Sequence, residues 1–97
     1  MNSRFQSLAA RCSIAALVLG KPGAEPLLLF LDEQDETAYR QLSDAVKRGL
    51  RSVGFVGLLK GGSIAFEALP GNEEIMARAR GEFIAGLLLA GEPHSLA

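Results

Sequence analysis

Tryptophan is absent from this 97-residue chain, and cysteine, histidine and tyrosine each occur only once. The single Cys12 excludes an internal disulfide, and one cysteine with one histidine cannot by themselves build a structural zinc site. An excess of charge of either sign is also missing. Ten basic residues against eleven acidic ones leave a formal net charge of −1, too little to draw in DNA, RNA or anionic lipid from a distance. Long hydrophobic runs are lacking as well. The longest, Phe83 to Ala90 with Gly86 counted in, falls well short of the roughly 18 residues that a membrane span requires. These absences point to a cytoplasmic chain with no membrane segment, no metal and no cofactor, for which nucleic acid is not the expected partner. Arg4 and Arg11 ahead of the apolar stretch 13–20, with Pro22-Gly23-Ala24 after it, have the order of a signal peptide. Against that reading, the apolar stretch is short and cleavage would remove a natural hairpin partner for residues 27–31.

What the chain does have is apolar mass. Hydrophobic residues make up 48% and the mean hydropathy is +0.21, enough for one folded domain over 1–97, near the size at which a core can be closed without help. The most informative stretch is Leu27-Leu28-Leu29-Phe30-Leu31, followed at once by Asp32-Glu33-Gln34-Asp35-Glu36. Side chains alternate across a strand, so an unbroken apolar run needs cover on both faces.

Around that run the elements can be read in order. Residues 1–12 hold a short N-terminal helix or arm, with Phe5, Leu8 and Ala9 on one side of a helix over 3–11. Residues 13–19 and 27–32 read as an antiparallel hairpin across a loop rich in turn formers. Tyr39, Leu42, Val46, Leu50 and Val53 follow at spacings of three and four, which predicts a helix over 37–53. Asp35 or Thr37 would cap it, Lys47, Arg48 and Arg51 would crowd its last turns, and Gly54 would stop it. Residues 55–59 and 63–69 form a second hairpin across Lys60-Gly61-Gly62. Ile64, Phe66 and Ala68 share one face of its latter strand and Glu67 marks the other; this clean alternation makes it the expected sheet edge. After Pro70-Gly71, with Asn72 as cap, a last helix runs to about Ala90, where Gly91 and Pro93 end it, leaving 92–97 as a tail. The expected fold is therefore α+β: a two-layer, mainly antiparallel four-stranded sheet with two long helices on one face, in the order (α)ββαββα.

The candidates for chemistry are few. Asp32, Glu33, Asp35 and Glu36 offer oxygen ligands, but their spacing does not fit an EF-hand loop, and carboxylates before a helix suit its dipole. Gly57-Leu58-Leu59-Lys60-Gly61-Gly62-Ser63 has glycines and a lysine, yet the lysine precedes the glycines and a strand follows, so it reads as a turn and not a P-loop. His94 lies in the expected tail, and Cys12 reads as a small residue opening an apolar strand. Tyr39 reads as a core residue with its hydroxyl at the rim.

Two surface patterns remain. Arg40, Lys47, Arg48 and Arg51 make a basic stripe on the predicted helix 37–53, partly offset by Asp44, with no interleaved aromatics to stack bases. Ala77, Gly81 and Ala85 recur every four residues on the last helix, and glycine inside a helix invites a close-packing explanation, either against Ala45 and Gly49 or against a second copy. Two helices on one face would leave apolar residues of 14–19 and 27–31 bare on the other. A second chain would then supply the cover, by sheets meeting face to face or strands meeting edge to edge. The reading that follows is a non-enzymatic protein-interaction module: a homodimeric small regulator or adaptor of bacterial or phage type, which meets itself or another protein through Leu27, Leu29, Leu31, Arg40, Lys47, Arg48, Arg51, Ala77, Gly81 and Ala85. The alternatives are a small enzyme or ligand-binding domain using the acidic junction at 32–36, and a weak nucleic-acid binder using the basic helix face.

Overall fold

A computed structural model of the chain describes residues 3–31 and 36–90. The elements follow in the order α1 (Ser3–Ala10), β1 (Cys12–Gly20), β2 (Leu27–Phe30), α2 (Glu36–Lys47), β3 (Arg51–Leu59), β4 (Ile64–Ala68) and α3 (Glu73–Ala90). The strands form one antiparallel sheet in the order β2-β1-β3-β4. This is the α+β class and element order that the sequence leads one to expect, and β4 is indeed an edge.

The register sorts the apolar residues by face. Phe30 pairs with Ala16, Ala16 with Val56 and Val56 with Phe66, and this row points towards α3. The neighbouring row, Leu29, Leu17, Phe55 and Glu67, points the other way, towards α1 and α2. On the first face α3 lays down Met76, Ala79, Phe83 and Leu87, spaced three and four apart as one helical stripe. The Phe83 ring stacks on Phe30 with centroids 6.2 Å apart. On the second face Phe5 of α1 is fully buried against Phe55, centroids 6.0 Å apart, and Ala45 and Leu42 of α2 close over Leu29, Leu19 and Leu17.

The layering thus differs from the expected two long helices on one face: α2 and α3 lie on opposite sides, and the short α1 shares the side of α2. An apolar run demands cover on two faces but does not say which helix takes which. The chain supplies that cover itself, so residues 27–31 need no second chain to shield them.

The second difference concerns α2. It stops at Lys47, not near Val53, through a Schellman turn: Leu50 N donates to Ala45 O (2.9 Å), Gly49 N donates to Val46 O (3.0 Å), and Gly49 takes φ +83°. Leu50 then folds back over Ala45 in the same cluster, as the accompanying hydrophobic contact of this motif requires. Leu50 and Val53 share the helical spacing by coincidence: one seals the cap, and the other is a buried residue of β3. Gly54, expected as the stop, lies within β3 opposite Val18 and Ala68. There an added Cβ would meet the Met76 side chain and stand 2.5 Å from the Glu67 carbonyl oxygen, so only glycine lets α3 sit this close.

The turns agree with the sequence. Gly62, at φ +97°, closes the β3–β4 hairpin by donating to Leu59 O (2.8 Å). Asn72 is the N-cap of α3: its carbonyl accepts from Met76 N (3.0 Å) while its side-chain amide donates back to Leu69 O and Pro70 O. The caps proposed from Asp35, the end signals Gly91 and Pro93, and the tail 92–97 lie outside the described residues.

Candidate interaction surface

No buried residue is polar or charged among the described residues, and no three His, Cys, Asp or Glu side chains among them gather as a metal would require. The acidic residues Asp32, Glu33 and Asp35 lie outside the described residues, as does His94; Glu36 opens α2. Cys12 opens β1, its thiol pKa pushed up by burial and drawn back in part by the charge of Arg11. A hollow of about 290 Å³ lies between the β1–β2 loop and the end of α2, lined by Lys21, Ala24, Glu25, Pro26, Leu27, Arg48 and Leu50. One of its two cations is occupied with structure, since Lys21 Nζ donates to the backbone carbonyl of Arg48 at 2.7 Å and so caps the negative end of α2. Across the loop Arg78 pairs with Glu25. A second, open crease of about 370 Å³ runs along the outer side of α2 by Arg40, Gln41, Ser43, Asp44 and Lys47. Neither hollow encloses a buried polar side chain, which a small-molecule site uses to fix a ligand.

The residues proposed for contact are scattered by the fold. Leu29 is buried beneath α2, and Leu27 and Leu31 are half-buried. Arg40 and Lys47 stand exposed on α2 and Arg48 on its cap, but Arg51 begins β3 opposite Gly20. Because the helix ends early, the four basic residues form no single helical stripe. Ala77, Gly81 and Ala85 are all exposed on α3, and a Cβ added at Gly81 would meet nothing within 4 Å. The intramolecular packing of this stripe on Ala45 and Gly49 is therefore not realised: those two residues belong to the opposite side of the sheet.

Large apolar side chains do reach the surface, at places the sequence reading did not single out. On α2 Tyr39 is 70% exposed and Val46 62% exposed, with half-buried Leu42 between them on one stripe. Tyr39 is thus a surface residue and not a core one, because the face of α2 turned to the sheet is centred on Ala45. On α3 Leu88 and Leu89 are exposed beyond half-buried Ile84. On β4 Phe66 is 41% exposed beneath the Arg80 guanidinium, which stands 6.0 Å from the ring centroid.

Among the described residues no strand or loop pairs with the outer side of β4. Leu59 N donates to Ser63 O (2.8 Å) and Leu69 N donates to Val53 O (2.9 Å), so the main-chain groups of Ser63 and Leu69 face β3. By the antiparallel alternation those of Ala65 and Glu67 do the same, and those of Ile64, Phe66 and Ala68 face away from the sheet. The clean alternation of 63–69 marks this edge in the sequence; the exposure of Tyr39 and Val46 has no signal there, because they fall on the expected apolar stripe.

No protein-family model, no curated protein and no solved structure gives a significant match to the chain. Among the described residues no helix is long and apolar enough to cross a membrane.

Proposed function

We propose that the protein is a non-enzymatic protein-interaction module, a small regulator or adaptor that acts as a homodimer. The observation that carries this reading is the contrast between interior and surface. The described interior holds no polar group to organise chemistry, while Tyr39, Val46, Phe66, Leu88 and Leu89 are held out in water. Exposed apolar side chains are ordinary when single; grouped on one helix stripe and beside an open sheet edge, they mark surfaces used for association. Sedimentation equilibrium from about 5 to about 500 µM tests the reading. It expects a monomer–dimer equilibrium within that range, and a single monomeric species throughout overturns it.

A further inference from the structure

We infer that two copies associate by antiparallel pairing of β4 with β4 about a twofold axis at Phe66, joining their sheets into one; this rests on the self-association proposed above. The unpaired groups of β4 form a self-complementary set. Ile64, Phe66 and Ala68 each turn a donor and an acceptor outward, and they are spaced symmetrically about Phe66. With Phe66 opposite Phe66 of a second copy, Ile64 falls opposite Ala68 of that copy, so every outward group on one edge meets its complement on the other.

The side chains accept the same register. On the α3 side the row becomes Ile64, Phe66 and Ala68 against their copies, which removes the exposed Phe66 rings from water and sets them side by side as a cross-strand aromatic pair. On the α1 side Glu67 falls opposite Ala65 of the second copy, so no carboxylate faces its twin, and Glu67 keeps its ion pair to Arg4 at 3.1 Å. Of the devices that keep edges apart, β4 has no lysine, no proline and no bulge between Ile64 and Ala68, and its one charge, Glu67, is paired with Arg4. The opposite edge is less suited. Leu31 N donates to Ala15 O (2.9 Å), so β2 turns only Leu28 and Phe30 outward, and buried Pro26 precedes it. A five-residue strand buries modest area, which places the dimer among weak, transient associations.

The test is amide hydrogen exchange by NMR on the full chain at about 10 and about 500 µM, with sedimentation equilibrium on the same samples. The expected result is that the amides of Ile64, Phe66 and Ala68 gain at least about tenfold protection at the higher concentration while exposed amides elsewhere do not. In Phe66→Lys, which sets two like charges across the axis and spares every β3–β4 hydrogen bond, association should weaken at least about tenfold with the circular dichroism spectrum unchanged. A dimer in which these three amides stay unprotected, or one that Phe66→Lys leaves intact, overturns the β4 pairing but not self-association. A monomer at both concentrations overturns both. If Phe66→Lys fails to fold, the exchange data on the unaltered chain decide.

Discussion

Replacing Gly81 by alanine separates an empty helix surface from a hidden contact. Gly81 lies inside α3 with helical backbone, exposed, and a Cβ placed there meets nothing within 4 Å. With no clash to relieve, only the intrinsic preference remains, and alanine in a helix interior gains about 1 kcal/mol over glycine. Gly86 has the same open surroundings, so Gly81→Ala/Gly86→Ala should gain about 2 kcal/mol, the two sites sharing no neighbour. For a chain of this length 1 kcal/mol corresponds to about 4–8 °C in Tm. Urea unfolding followed by circular dichroism, run at two protein concentrations, reads the gain as a higher midpoint at unchanged slope. A loss of stability in Gly81→Ala, or a gain at low concentration that reverses at high concentration, would mean that a second chain packs on Ala77, Gly81 and Ala85, and would refute the assignment of that stripe to solvent.

Four other substitutions probe the interior and its one thiol. Gly54→Ala should cost about 2–3 kcal/mol by urea unfolding, since its Cβ stands 2.5 Å from the Glu67 carbonyl oxygen and against Met76; Met76→Ala, a cavity in the core, should cost about 2–5 kcal/mol by itself, and the double variant should lose less than the sum, because one of the two clashes is gone. Phe5→Ala should cost about 3–5 kcal/mol, as Phe5 is 1% exposed and stacked on Phe55; a neutral result would show that α1 does not hold to the sheet. Burial raises the Cys12 thiol pKa more than Arg11 lowers it, so the unfolded chain ionises first as pH rises. The contribution is therefore present below the unfolded-state pKa and lost as pH climbs through the folded one. Alkaline destabilisation should be smaller in Cys12→Ser, and the folded thiol should react with a disulfide reagent at pH 8 more slowly than the urea-unfolded chain.

Elements with a local cause were legible in the sequence. The two hairpins follow from glycine and proline between apolar runs, and Gly62 shows the positive φ that its turn requires. α3 starts where Asn72 and the two glutamates place it. The end of α2 was missed because Leu50 and Val53 continue a period of three and four by accident. Gly49, directly after Lys47 and Arg48, was the true stop signal, and it competed with Gly54. The division of helices between faces has no local cause at all. β3 buries every residue from Val53 to Leu58, so its pattern has no polar side, and an amphipathic helix can settle on either face of such a sheet.

That division also changes what self-association can look like. If both long helices covered one face, a second sheet could lie on the bare one. Here a face-to-face stack would have to lift either α3, with Met76 and Phe83 fully enclosed, or α1 and α2, with Phe5 and Ala45 fully enclosed. Uncovering one large core side chain costs about 1.5–3 kcal/mol, and several would be uncovered together, so stacking is opposed by most of the stability of a chain this small. Pairing through an edge disturbs none of these residues. It asks only that groups now bonded to water bond to each other, an exchange close to neutral for each hydrogen bond, while Phe66 contributes the apolar burial that favours association. Of the ways in which two such sheets can meet, edge to edge is therefore the one that this layering leaves available.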